Sequence, residues 1–130
     1  MPAWQASAGA TLLIPSGPDK HIFVVLNDPV VLEGYGAQGC VVLVNVSTVR
    51  GGIPFDDTCV VEAGSHSFVT ARSYVRYQDA RIYRASELSR LVAQGFFSPH
   101  EPVSADLLSQ MKAGLRASPR TKREFKTLKI

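Results

Sequence analysis

Cysteine is scarce. Cys40 and Cys59 are the only two in 130 residues, with no CxxC and no nearby His-x-His grouping. That excludes a disulfide scaffold and leaves a thiolate metal site without its spacing, so both residues, set in apolar runs, are expected as buried free thiols. Long apolar stretches are also missing. The longest, Ile22 to Leu26 and Cys40 to Val44, fall far short of the roughly 20 residues a membrane helix needs. The start, Met1-Pro2-Ala3-Trp4-Gln5, has neither the basic residues nor the apolar region of a secretory signal, and the expected compartment is the cytoplasm. The P-loop, GxSxG and HExxH are all absent, which counts against P-loop nucleotide hydrolases, elbow-type serine esterases and zinc proteases. No period of 20 to 50 residues repeats, and no cofactor or metal set is expected.

What is present fits one globular domain: 45% hydrophobic residues, 8% aromatics, and 14 Lys plus Arg against 11 Asp plus Glu. A chain of this length buries roughly two thirds of its unfolded surface, enough for a single core. Its charge is unevenly spread. From Lys112 onward there are seven cations (Lys112, Arg116, Arg120, Lys122, Arg123, Lys126, Lys129) and one acid, Glu124, a local charge of +6. The preceding 111 residues carry −3. The tail is therefore the natural contact for a polyanion or acidic partner, unless it is simply a solvated terminus.

Hydrophobic periodicity gives short strands first and helices last. Ala10 to Ile14 reads as a strand closed by Pro15-Ser16-Gly17-Pro18. His21 to Leu26 and Cys40 to Val46 are apolar on both faces, the mark of strands covered on both sides. Asn45 and Ser47 fall on one face, which turns polar at its C-terminal end. Thr58 to Val61, Ser67 to Thr70, Ser73 to Tyr77 and Ala80 to Tyr83 are further strands. Such close spacing predicts a mainly β fold, a small barrel of five to seven short strands, because closing a sheet removes unpaired edges. Ser86 and Ser104 are expected N-caps of two C-terminal helices, the first ending at Gly95 and the second carrying Leu107, Leu108, Met111 and Leu115 on one face. The barrel with its first helix is placed in residues 1–97, and the second helix with the basic tail in 98–130.

Three segments carry side chains suited to chemistry. Lys20-His21 enters a buried strand, and histidine titrates near neutrality, so a proton shuttle beside a cation is one reading and a solvated edge the other. Asn45 to Gly52 delivers the hydroxyls of Ser47 and Thr48, the charge of Arg50 and flexible backbone in one junction, a set able to hold phosphate oxygens. Ordinary side-chain-to-backbone bonding in a loop is the alternative. The third is the polar-aromatic stretch Asp56-Asp57-Thr58, His66-Ser67-Phe68 and Ser73-Tyr74-Val75-Arg76-Tyr77. Alternation places Ser73 and Tyr77 on one face and Tyr74 and Arg76 on the other, suited to stacking bases and pairing phosphates or to a barrel rim.

The order of these pieces resembles the MazF/PemK/Kid family of toxins across about residues 9 to 95. The pieces are Gly9-Ala10-Thr11-Leu12-Leu13, then Lys20-His21 leading into Ile22-Phe23-Val24-Val25-Leu26, then Val41 to Asn45 ending in Ser47-Thr48, then Gly52-Ile53-Pro54-Phe55. Arg81, followed by Ile82, is similar to the basic residue closing the family's last strand. The resemblance implies an SH3-like barrel, a homodimer, metal-independent cleavage of single-stranded RNA, and an antitoxin protein as partner. It implies that Ser47 and Thr48 are the active-site hydroxyl pair and that His21 stands where the family has Arg, with Ile22 in place of the Pro that follows. On this basis His21 is acid or base, Lys20 and Arg50 hold the phosphate, and His66 is the competing proton-transfer residue. Ser73, Tyr74, Arg76, Tyr77 and Arg81 are RNA-binding candidates, with Arg120, Lys122 and Arg123 adding sequence-independent affinity. The alternative from another class is a non-catalytic SH3-like module or accessory factor gripping nucleic acid or a protein.

Overall fold

A computed structural model describes residues 4–130; Met1, Pro2 and Ala3, on which the reading of the N-terminus partly rests, lie outside it. The chain runs β1 (Thr11–Ser16), β2 (Asp19–Val25), β3 (Cys40–Thr48), β4 (Val60–Val61), β5 (Ser73–Arg84), α1 (Ala85–Ala93), β6 (Ser98–His100), α2 (Ala105–Ala117) and α3 (Arg123–Lys126). The six strands form one antiparallel sheet in the order β4-β5-β3-β2-β1-β6, curled into a half-barrel, so the mainly β architecture with C-terminal helices is as expected. Among the described residues no helix is long and apolar enough to cross a membrane.

Both faces of the sheet are covered, which explains why β2 and β3 are apolar throughout. Ile22, Val24, Val42, Val44 and Val46 point toward Leu107, Met111 and Leu115 of α2 and Phe125 of α3. Phe23, Val25, Val41 and Leu43 point the other way, toward Leu12, Ile14 and Leu88 of α1. Cys40 and Cys59 are buried free thiols, and burial pushes the Cys59 thiol up, which keeps it protonated and inert.

β1 runs past the expected boundary because its turn to β2 is only Gly17-Pro18, with Ser16 opposite Asp19. Gly17 has φ +58°, as the first central position of a type II′ hairpin requires, and Pro18 supplies the fixed negative φ of the second. Ser73 to Tyr77 and Ala80 to Tyr83 are one strand rather than two. Between the pairs Asn45–Arg76 and Leu43–Arg81, the single residue Val44 of β3 faces the four residues Tyr77 to Ala80 of β5. Gln78-Asp79, the gap between the two expected strands, therefore marks a bulge that bends the strand without ending it.

Three other expectations are corrected. Ser67 to Thr70 is not a strand; its backbone is satisfied locally, Val69 N–H donating to the His66 carbonyl and Gly64 N–H to that of Val69. The link after α1 contains β6, whose Leu13–Ser98 and Thr11–His100 pairings cover the edge of β1. Ser86 does not cap α1: Arg84 holds that position without a side-chain bond, because β5 runs directly into the helix, and the Ser86 hydroxyl instead donates to Gln38 Oε1. Ser104 does cap α2, accepting from Leu107 N–H at 3.2 Å.

The basic C-terminus is docked. Phe125 is buried, and the Arg116 guanidinium holds the carbonyls of Lys126 and Leu128 at 3.0 Å each. The Ser118 hydroxyl donates to Asp56, whose carboxylate also accepts from the Thr58 hydroxyl at 2.6 Å.

Candidate functional site

Antiparallel register brings three strand ends to one place. Ile22 pairs with Val46, which sets His21 beside Ser47, and Ser47 pairs in turn with Tyr74 of β5. A cleft of about 440 Å³ opens there, lined by Lys20, His21, Ser47, Thr48, Arg50 and Arg76 together with aromatic side chains. Phe55 stacks against Tyr74 at 5.2 Å between ring centroids and makes one wall. The turn that carries Arg50 is closed by Ile53 N–H donating to the Arg50 carbonyl, with Gly52 at φ +77° in the position that demands it.

The electrostatics follow from this list. Lys20, Arg50 and Arg76 stand around the opening with Asp19, and Arg76 is paired with Asp79 behind it, which leaves an excess of one positive charge. Lys20, Thr48 and Arg50 are exposed, while His21, Ser47, Tyr74 and Arg76 are half-buried, a gradient from solvent to a partly enclosed floor. Such a cleft attracts an anion and holds it near an imidazole and two hydroxyls.

A second cleft of about 240 Å³ adjoins the first and shares His21, Ser47 and Arg76 with it. The β5 bulge builds it. Asp79, carried there by the extra residues, accepts from Arg76 Nε at 2.9 Å, and Arg81 lies with its guanidinium carbon 4.7 Å from the centre of the Phe23 ring. Arg81 thus stands beside the cleft it was expected to serve, but reached through the smaller chamber.

Six expected residues are placed elsewhere. Tyr77 is fully buried on the opposite face, its hydroxyl donating to the Met111 carbonyl at 2.8 Å, and burial holds it as a neutral phenol. Its side chain reaches no nucleotide. Ser73 is buried too, its hydroxyl spent on the Ala71 carbonyl at 2.9 Å. Alternation along β5 is the reason: the same period that delivers Tyr74 and Arg76 to the cleft turns Ser73, Val75 and Tyr77 into the core. Lys122 and Arg123 are exposed at the start of α3, and Arg120 stands near Asp56; none of the three lines either cleft.

His66 is the sixth, and it has a different task. Its Nδ1 accepts from Phe68 N–H at 3.1 Å, which leaves the proton on Nε2 to be donated to the Glu101 carbonyl at 2.7 Å. Ser67 N–H donates to Glu101 Oε1 at 3.0 Å beside it. The segment after edge strand β4 is thereby fastened to the residue that follows the opposite edge strand, β6. His66 is the latch of the curled sheet and not a proton shuttle. Among the described residues, His66, His100 and Glu101 form the one group whose metal-ligating atoms all lie within 4.8 Å of one another. A metal on His66 Nε2 would have to displace the proton and the bond to Glu101, while Phe68 N–H blocks the proton's move to Nδ1, so the arrangement suits a hydrogen-bonded strut. Hydrogen bonds from Ser67, reinforced by the two imidazoles, hold the Glu101 carboxyl below the usual range.

Asp56, part of the third segment but given no role of its own, is a second structural centre. Its burial favours the neutral acid, but the Ser118 and Thr58 hydroxyls, Thr58 N–H and the charge of Arg120 outweigh it and hold the carboxyl low. The Asp-x-Thr spacing was the available signal, since a side-chain carboxylate accepting two residues ahead is an Asx turn. Comparison with protein-family models, with curated proteins and with solved structures gives no match.

Proposed function

We propose that this protein is a metal-independent endoribonuclease of the toxin–antitoxin type, similar to the MazF/PemK/Kid toxins, acting on single-stranded RNA in the 440 Å³ cleft. The observation that carries the reading is the convergence of His21 from β2 and the Ser47-Thr48 hydroxyls from β3 on one cationic cleft. In this reading a ribose 2′-hydroxyl attacks the adjacent phosphorus, the bond from phosphorus to the 5′-oxygen breaks, and the products are a 2′,3′-cyclic phosphate and a free 5′-hydroxyl. One proton leaves the 2′-oxygen and one arrives on the 5′-oxygen. His21 makes one of these transfers. Lys20 and Arg50 meet the charge that builds on the phosphorane, and the two hydroxyls fix the phosphate. The aromatic wall of Phe55 and Tyr74 supports a base stacked beside it. A second copy of the chain and an antitoxin protein complete the proposal.

The test is incubation with mixed single-stranded RNA in excess EDTA. Fragments carrying 5′-hydroxyl ends, lost in His21→Ala and reduced in Thr48→Ala, are the expected result. His21, standing where the family has Arg, favours one second reading, a binding module that has kept the cleft without the chemistry. RNA binding by the wild type with no fragments in any condition would assign the cleft to that module.

A further inference from the structure

The second cleft holds polar groups that the fold itself does not use. Asn45 is 5% exposed, yet its Oδ1 has no hydrogen-bond partner. A buried amide in a strand otherwise made of valine and leucine is costly unless something completes it. Asp79 commits Oδ2 to Arg76 and leaves its other oxygen unengaged, at a half-exposed position. Arg81 is exposed, and its guanidinium carbon lies over the Phe23 ring, 4.7 Å from the ring centre. A flat cation, a carboxylate oxygen and an amide meet in about 240 Å³, room for a planar ring rather than for a larger ligand.

These groups match the edge and face of a nucleobase better than they match a phosphate, which the Asp79 carboxylate would repel. A guanidinium plane stacks bases, and a carboxylate accepts from an exocyclic amino group. We infer that the second cleft is a base-reading subsite that takes cytosine in preference to uracil, with the base stacked on Arg81 and its amino group donating one hydrogen to Asp79 and the other to Asn45 Oδ1. The inference rests on the nuclease reading of the adjoining cleft, since His21, Ser47 and Arg76 are common to both and a strand bound in one runs into the other. Uracil presents a carbonyl oxygen where cytosine has the amino group, and that oxygen would face a carboxylate with no proton between them. Asn45 and Asp79 are therefore specificity-determining residues and take no part in proton transfer.

The experiment measures binding of 2′-O-methyl hexamers of cytidine and of uridine by fluorescence anisotropy, with cleavage of unmodified RNA in EDTA run in parallel. The methylated strands lack the attacking hydroxyl, so affinity is read independently of catalysis. Wild type should prefer the cytidine hexamer about tenfold, the size expected for one well-paired base edge. Asp79→Asn should bring the ratio toward one while raising affinity for both strands through the freed Arg76, and Asn45→Leu, which suits an apolar strand and needs no partner, should lower the ratio with the melting temperature maintained. Equal affinities in the wild type, or a ratio unchanged in both variants, would overturn the subsite even where RNA is cleaved and the nuclease reading stands. A cytidine preference lost in the variants, with no cleavage in EDTA, would keep the subsite and remove the nuclease. Failure to bind either strand would end the subsite, and with no cleavage in EDTA it would end both.

Discussion

Replacing His66 and His21 separately by alanine tests the division of labour between the two histidines. His66 makes two hydrogen bonds, to the Glu101 carbonyl at 2.7 Å and from Phe68 N–H at 3.1 Å, and is 6% exposed. Each bond is worth about 1 kcal/mol net, and a group left unpaired out of reach of water adds to that, so His66→Ala should cost about 2 to 4 kcal/mol. In a domain of this size a loss of that order lowers the melting temperature by roughly 6 to 15 °C. Thr11 Oγ1 also donates to the Glu101 carbonyl, which limits the damage at that acceptor. His21 is half-buried at the mouth of the cleft, and His21→Ala should change stability by no more than about 0.5 kcal/mol. Urea unfolding followed by tryptophan fluorescence gives both values, and the EDTA cleavage assay gives activity below the unfolding range. The expected pattern is a destabilised but active His66→Ala and a stable but inactive His21→Ala. A stable, inactive His66→Ala would refute the latch and return His66 to the chemistry.

Other outcomes follow from the core and the tail. A Cβ at Gly114 would collide with the Tyr77 hydroxyl, so Gly114→Ala should destabilise by about 1 to 3 kcal/mol, and adding Tyr77→Phe should cost less than the two separate losses combined, as urea midpoints of the double-mutant cycle will show. The Asp56 carboxyl is held below its ordinary 3.8, so its contribution is complete above that pH and is lost as pH falls through the lower folded value. Asp56→Asn should therefore lower stability at pH 7 and flatten the acid limb of a stability profile as pH falls below the ordinary carboxylate value. Neutralising Lys122 and Arg123, both exposed, should leave melting unchanged and make RNA binding less sensitive to salt, the logarithmic slope falling by about one for each phosphate no longer neutralised. Truncation after Leu115, by contrast, removes Ser118 from Asp56 and Phe125 from the core, and thermal melting should show a large loss of stability before any effect on RNA is readable.

Doubly apolar β2 and β3 were legible because each residue is covered whichever way it points, so no register has to be known to read them as buried. The Ser104 cap, the Gly17-Pro18 turn and the buried cysteines were legible for a similar reason: the signal and the structure it specifies lie within a few residues of each other. Ser47, Thr48, Lys20 and His21 were legible as chemistry-bearing types, but their meeting depends on the pairing of Ile22 with Val46.

Local sequence thus determined the cores of β1 to β3, the start of α2 and the uneven charge, all set by periodicity, turn chemistry or composition over short spans. Tertiary structure alone decided which of two histidines stands in the cleft, because His66 is claimed by a carbonyl 35 residues away. It also decided that Gln78-Asp79 is a bulge rather than a break, and that the basic tail lies against the core. Those outcomes turn on partners distant in sequence, whose free energies no local pattern contains.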